Sequence, residues 1–248
     1  MMMNKSVYTM ETRVRYSACG ADRRTRLSDI LDYLQDACTF QAEELGVGLD
    51  YMQEHQTAWV LSSWQADVIR DPVFGEKIRI ITWPYDFHGF LGYRNFKIED
   101  EAGNGIVLAS SVWVFMDMKK NRPARILPEV AAAYQVQPRL EMEYMDRKIA
   151  DAQSAGVQHM VQQKEAFRIP HYFIDTNQHV NNAKYILLAE EILPTDFHPV
   201  RMRAEYKKPA VYGDVLYPSV WQQPHCRTVR FGGTDKKPYV IMEFYEHV

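Results

Sequence analysis

Cysteine is scarce: Cys19, Cys38 and Cys226 are the three in 248 residues. None belongs to a CxxC pair, and no histidine lies at a spacing that reads as zinc ligation. A disulfide framework is therefore not expected, and a reducing cytoplasm is the natural compartment. Long apolar runs are missing too. No window approaches the eighteen residues of a membrane span, so none is expected. Met1-Met2-Met3-Asn4-Lys5-Ser6 leads into alternating residues instead of an apolar run, and does not read as a signal peptide. Excess charge of one sign is absent as well: 29 basic and 32 acidic residues leave a net charge of −3, which gives no reason to expect a nucleic-acid partner. There is no GxGxxG, no P-loop and no GxSxG. Neither a metal nor a cofactor is expected.

What is present is ordinary for a soluble globular chain: 46% apolar and 25% charged residues, at a length that suits two small domains. Aromatics make up 12%, fifteen of them Tyr, which suits a protein that needs large flat apolar surfaces.

Along the chain, Val7–Tyr16 reads as a strand. Leu27, Ile30, Leu31, Leu34, Cys38, Ala42 and Leu45 then recur at helical steps until Gly46 and Gly48 stop them. Cys38 sits on that apolar stripe and reads as a small core residue. Strands are predicted at Ala58–Ile69, Lys77–Trp83, Tyr93–Glu99 and Ile106–Met118, with Asp100–Gly105 as a hairpin turn. One strand, one long helix and a run of antiparallel strands is an α+β order and suggests a curled sheet around a central helix.

Residues 127–164 lose this alternation and read as an interdomain connection with room for short helical pieces. They separate an N-terminal domain over 1–126 from a C-terminal domain over 165–248. The second domain repeats the order of the first. Phe167–Ile174 is strand-like, and Val180, Ala183, Ile186, Leu187 and Glu190 lie along one helix face that Pro194 ends. Strands follow near Val200–Lys207, Val215–Trp221, Thr228–Gly232 and Tyr239–Val248. Asp71-Pro72-Val73-Phe74-Gly75-Glu76 and Trp83 parallel Lys208-Pro209-Ala210-Val211-Tyr212-Gly213-Asp214 and Trp221, if one residue is inserted. Two similar domains are expected by duplication, against one larger α+β domain.

Chemistry concentrates in Asp175-Thr176-Asn177-Gln178-His179, ahead of the second helix. On an extended segment these alternate polar side chains share a face. The helix start beyond them would offer backbone N–H groups and a partial positive charge. The plainer reading is capping: Asp175, Asn177, Asn181 or Asn182 satisfying helix-terminal N–H groups. Where the first domain would carry its copy stands Cys19-Gly20-Ala21-Asp22-Arg23-Arg24, so one active site per chain is expected. His55, His88, His159, His171, His198, His225 and His247 form no metal-spaced pair. Cys226 adjoins His225, but strand neighbours point to opposite faces. Basic residues gather at Arg23-Arg24-Arg26, Lys119-Lys120 with Arg122 and Arg125, and Arg201-Arg203-Lys207-Lys208; an acidic partner is the alternative to solvated turns.

Asp175-x-Asn177-x-His179-Val180-Asn181-Asn182-x-x-Tyr185 resembles the signature of acyl–acyl carrier protein thioesterases. So do Gly20-Ala21-Asp22-Arg23 before a long helix and the Glu-Tyr-basic-basic run Glu205-Tyr206-Lys207-Lys208. The His-Val-Asn-Asn-x-x-Tyr part alone is shared with acyl-CoA thioesterases of the same fold. The resemblance implies an α+β tandem (double) hotdog, packed side by side like a hotdog dimer fused in one chain. It implies hydrolysis of fatty acyl thioesters on acyl carrier protein, with the acyl tail mainly in the N-terminal half and a monomer or homodimer in solution. Asp175, Asn177 and His179 inherit the catalytic roles. Plant members place Glu and then Cys after the two basic residues, where this chain has Pro209 and Ala210. The absent cysteine argues against a thiol mechanism. The absent glutamate leaves water activation unassigned, and Glu205, on the same face as Pro209 by strand parity, is the candidate for it. Alternatives are an acyl-CoA thioesterase, an acyl-thioester hydratase (whose Asp-x-Asn-Pro-x-His is one residue longer), or a non-catalytic module binding acyl chains or carrier protein.

Overall fold

The computed structural model describes residues 7–152 and 161–246. The N-terminal hexapeptide, His159 and His247 lie outside the described residues. The described residues form two compact units, one of 7–62 and 68–144, the other of 63–67, 145–152 and 161–246.

In the first unit the elements are β1 (Tyr8–Arg13), α1 (Leu27–Glu44), α2 (Leu49–Glu54), β2 (Thr57–Val68), β3 (Lys77–His88), β4 (Leu91–Asp100), β5 (Gly105–Asp117), β6 (Arg122–Pro123) and α3 (Pro128–Ala133). Residues 63–67 of β2 belong to the second unit. The antiparallel order is β1-β3-β4-β5-β2, with β6 on β5. α1 buries Ile30, Leu31, Leu34, Ala37 and Cys38 on one stripe, against β1 and β3. Each such aliphatic side chain contributes roughly 1.5–3 kcal/mol by leaving water. Gly46 ends the helical run at φ 72°, a left-handed conformation that glycine reaches without strain.

The second unit holds β7 (Val161–Gln163), β8 (Phe167–Arg168), α4 (Asn182–Ile192), β9 (Arg201–Tyr206), β10 (Val215–Gln223), β11 (Cys226–Gly232) and β12 (Pro238–Tyr245). Residues 63–67 pair with β9, and the order continues β9-β12-β11-β10-β7, with β8 also on β10. Tyr185 of α4 packs on Tyr206 of β9 and Phe231 of β11. Each unit thus has its own helix with a buried face, as the α+β order predicts.

Several expectations need correction. The strand predicted over Phe167–Ile174 shortens to Phe167–Arg168 and passes through Pro170 into a 3-10 turn at His171–Phe173, because proline offers no N–H to a ladder. The first repeat also makes a 3-10 turn here, at Tyr16–Ala18, with no proline before it. α4 begins at Asn182, not Val180: Val180 forms an antiparallel bridge with Ile174, and the Asn181 side chain caps the helix from the Ala183 N–H at 2.9 Å.

The predicted connection 127–164 carries a short helical piece and a strand. Its 128–133 part is α3, and Val161–Gln163 pairs with β10. Residues 138–149 between them are tied to strand side chains. In the first unit, Asn95 accepts from the Leu140 N–H at 3.0 Å, and Trp83 donates to the Pro138 carbonyl at 2.9 Å. In the second, Gln65 accepts from the Met145 N–H at 2.8 Å, Glu205 from the Ile149 N–H at 2.7 Å, and Arg203 donates to the Asp146 carbonyl at 2.8 Å.

The duplication is visible bond by bond. Val14 and Glu76 exchange a backbone bond at 2.9 Å, as Ile169 and Asp214 do. The Glu76 carboxylate accepts from the Val73 N–H at 3.0 Å, as that of Asp214 does from Val211. Ile69 and Arg70 both donate to the Ile106 carbonyl, as Lys207 and Lys208 both donate to that of Tyr239. Gly75 and Gly213 share a φ near 83° (82° and 84°). This register needs no inserted residue. It sets Phe74 against Tyr212 and Trp83 against Trp221, but Pro72 against Ala210 and Asp71 against Pro209. The match of prolines in the sequence was a coincidence one position out of register.

Candidate active site

Asp175–His179 is a tight turn, not an extended segment. The Asp175 N–H donates to the His179 carbonyl at 2.8 Å, and the Gln178 N–H to the Asp175 carbonyl at 3.0 Å. Gln178 takes a φ of 63° to close it. The Asp175 carboxylate completes the turn: its Oδ1 accepts from the Asn177 N–H at 2.8 Å and the His179 N–H at 3.4 Å. A short acidic side chain that bonds its own backbone two residues on favours a turn over a strand. Oδ1 is thereby fixed by the backbone, and Oδ2 has no protein hydrogen bond among the described residues.

The first repeat folds the same turn without these groups. The Gly20 N–H donates to the Arg24 carbonyl at 2.9 Å, the Arg23 N–H to that of Gly20 at 3.0 Å, and Arg23 has a φ of 67°. Gly20, Asp22 and Arg24 thus stand where the second repeat has Asp175, Asn177 and His179. One difference opens the second copy. In the first, the Phe74 N–H closes onto the Arg23 carbonyl and Arg24 bridges Val73. Among the described residues the bond and the bridge have no counterpart between the Asp175 turn and Val211–Tyr212.

The turn brings the three predicted residues into one short loop. Asp175 and His179 are half-buried and Asn177 is exposed. The backbone, not the His179 ring, orients the Asp175 carboxylate. The N–H groups expected to hold a developing oxyanion are already committed: Val180 donates to the Ala210 carbonyl at 2.9 Å, Asn181 to that of Phe173 at 2.9 Å, and Ala183 to the Asn181 cap. The Asn177 carboxamide and the His179 imidazole take no part in the hydrogen bonds that close the turn. Beside the loop, His171 stacks on Tyr212 with centroids 3.7 Å apart, and Tyr172 is 77% exposed. The aromatic at 212 was legible as the partner of Phe74; the stacked histidine was not, because no periodic pattern marks it.

Glu205 is placed elsewhere. Alternation along β9 turns Met202, Ala204 and Tyr206 inward, and the Tyr206 hydroxyl reaches the Asn182 carbonyl at the start of α4. Arg201, Arg203 and Glu205 face the other way. The Glu205 carboxylate accepts from Ile149 N–H and lies 2.6 Å from Lys207 Nζ. The double donation of Lys207 and Lys208 to one carbonyl is a bulge that resets alternation, so strand parity does not carry from Glu205 to Pro209. We expect Glu205→Gln, which keeps a carbonyl for Ile149, to leave kcat/KM within about threefold of wild type. Glu205→Ala should instead cost about 1–3 kcal/mol in a denaturant titration, by orphaning a buried N–H. A large activity loss in the Gln variant at unchanged stability would return Glu205 to the chemistry.

Burial raises the Tyr185 hydroxyl far above its usual range, and burial with the Asp214 hydrogen bond lifts Tyr239 to about 12; both stay protonated at neutral pH. Burial likewise pushes the Cys226 thiol up to about 11, so it is a poor nucleophile. Among the described residues no group of three His, Cys, Asp or Glu side chains gathers to hold a metal ion.

Two family models match the chain: the acyl-ACP thioesterase N-terminal domain over residues 5–134 and the acyl-ACP thioesterase C-terminal domain over 157–230. Over 201 residues the chain is 27% identical to the chloroplastic acyl-[acyl-carrier-protein] hydrolase FATB2 of Cuphea viscosissima, covering 73% of this chain and 45% of that protein. The chain spans about half the length of the curated relatives it matches. An acyl-ACP thioesterase from Bacteroides thetaiotaomicron superposes at a TM-score of 0.85 over 98% of both chains, with 20% identity. The 12:0-ACP thioesterase from Umbellularia californica does so at 0.81 over 96% of both, with 19% identity. These superpositions establish the α+β tandem hotdog fold. With both family models matched in order along its two repeats, the chain belongs to the acyl-ACP thioesterase family.

Proposed function

We propose that this protein hydrolyses fatty acyl thioesters carried on acyl carrier protein, releasing free fatty acid and ending chain elongation. The observation that carries the reading is the contrast between the repeats. One turn is built twice on the same backbone, and only the second copy bears Asp175, Asn177 and His179 and lacks the bonds that close the turn's outer edge.

In this reading the thioester carbonyl lies against the Asn177 carboxamide, which stabilises the developing oxyanion. Asp175 acts through Oδ2, since Oδ1 is held by the turn. It either attacks the carbonyl carbon, giving an acyl anhydride that water then cleaves, or takes a proton from the attacking water. In both routes the C–S bond breaks, the sulfur leaves with the carrier and is protonated by way of His179, and water supplies the carboxylate oxygen. The three free thiols favour a reducing compartment, the cytoplasm.

The test is a rate comparison on matched acyl chains carried by acyl carrier protein and by CoA, with released fatty acids identified by mass spectrometry. A kcat/KM about tenfold or more higher on the carrier protein is expected. A preference for CoA would move the protein to the acyl-CoA thioesterases, and binding without turnover would make it a carrier-protein module.

A further inference from the structure

The backbone bonds that close the Asp175–His179 turn on itself recur in the first repeat, but two side-chain bonds behind that turn do not. Ala210 sits at the junction. Its carbonyl accepts from Val180, the residue next to His179, at 2.9 Å, and its N–H donates to the Tyr185 hydroxyl at 3.2 Å. Tyr185 lies in the first turn of α4 and is 2% exposed. The Tyr206 hydroxyl donates to the Asn182 carbonyl at 3.1 Å, at the first residue of the same helix.

The register of the two repeats gives the first-copy counterpart of each group. Pro72 stands for Ala210, Ile30 for Tyr185, Val68 for Tyr206 and Leu27 for Asn182. All three aliphatic side chains are buried. The Pro72 carbonyl still accepts from the Thr25 N–H at 2.9 Å and takes a second bond from the Thr25 hydroxyl at 2.8 Å, so the first copy builds the same backbone without either phenol. The fold does not require the Tyr185 and Tyr206 hydroxyls. Placing two phenols and an amide N–H behind the turn carries a desolvation penalty that Ile30, Val68 and Pro72 avoid. The second repeat keeps them, directly behind the polar turn.

We propose that Tyr185 and Tyr206 are positioning residues: their hydroxyls fix Ala210 and the start of α4, and through the Ala210–Val180 bond they hold His179 and the Asp175 carboxylate in register. This rests on the reading of that turn as the catalytic loop. In this reading neither hydroxyl acts on the substrate: Tyr206 donates to the Asn182 carbonyl, and Tyr185 accepts from the Ala210 N–H. Their effect is on geometry, where a displacement of about 1 Å lowers rates on the order of 100-fold.

The experiment measures kcat, KM and thermal stability on acyl–acyl carrier protein for wild type, Tyr185→Phe, Tyr206→Phe, and Tyr185→Phe combined with Ala210→Pro. The last rebuilds the first-copy arrangement and removes the N–H that Phe would orphan. Tyr185→Phe is expected to lower kcat by about 10- to 100-fold with KM nearly unchanged. Adding Ala210→Pro should restore melting temperature and leave kcat low. Tyr206→Phe, which orphans no buried donor, should show the same split and decides the matter if Tyr185→Phe does not fold. A kcat that stays at the wild-type level in the Phe variants, or that recovers with stability in the double variant, overturns the proposal alone. A wild type that turns over no acyl–acyl carrier protein overturns the reading of the loop as well.

Discussion

Asp175→Asn is expected to abolish most turnover while leaving the protein folded. The substitution is nearly isosteric, and the amide oxygen at the Oδ1 position still accepts from the Asn177 and His179 N–H groups that hold the turn. Buried surface and backbone bonds are otherwise unchanged, so the melting temperature should stay within about 2 °C of wild type, less than the shift that 1 kcal/mol produces in a chain of this size. At the Oδ2 position a neutral NH₂ replaces an anionic oxygen and can neither attack a carbonyl nor take a proton from water. Loss of a positioned base or nucleophile lowers kcat by about 10²–10⁴-fold. Steady-state hydrolysis of acyl–acyl carrier protein reads the first effect and a thermal melt the second. If the Asn variant kept near-normal turnover, Asp175 would be only the turn residue that its Oδ1 bonds already make it.

How much of this was legible from sequence depends on the range of the interactions. The helix from Leu27 was legible because its apolar residues repeat at the helical period and Gly46 ends it. The Asp100–Gly105 turn was legible because the turn chemistry lies within the segment: Asp100 Oδ1 accepts from the N–H groups of Ala102 and Asn104. The Asp175 turn was misread as extended, although its bonds are equally local. Alternate polar residues look alike on a strand and in an Asx turn, and only the left-handed φ at Gln178 separates them. The repeat was legible, and its pairing of Phe74, Gly75, Glu76 and Trp83 with Tyr212, Gly213, Asp214 and Trp221 holds; only the two prolines, Pro72 and Pro209, were paired one residue out of register. The ties of residues 138–151 were not legible at all. They join backbone groups to side chains many residues away, as in Asn95 with Leu140 or Glu205 with Ile149, and such contacts leave no periodicity. Nor could composition show that the Val180 and Asn181 N–H groups were already spent. Their acceptors, Ala210 and Phe173, are found only once the chain is folded.

Arg203→Ala is expected to destabilise the second unit strongly. Arg203 stands directly opposite Glu243 across β9 and β12, with Nε 2.5 Å from Glu243 Oε2. Their side chains are only 16% and 14% exposed, so solvent screens the pair little. The guanidinium also donates to the Asp146 carbonyl at 2.8 Å, holding the chain that crosses this face. Truncation removes these bonds together and leaves the Glu243 carboxylate with Tyr245 as its remaining hydroxyl donor, at 2.5 Å. An uncompensated charge at such a site costs about 3–5 kcal/mol, which for this chain length corresponds to a fall in melting temperature on the order of 10 °C. The contrast is Lys208–Asp235, where the side chains are 31% and 47% exposed; Lys208→Ala should cost less than about 1 kcal/mol. Arg203→Ala combined with Glu243→Ala should recover part of the loss, because the second change removes the stranded carboxylate, and the difference measures the coupling. A denaturant titration that placed Arg203→Ala beside Lys208→Ala would mean that water reaches Glu243, and that the ties across this face add nothing to the second unit's stability.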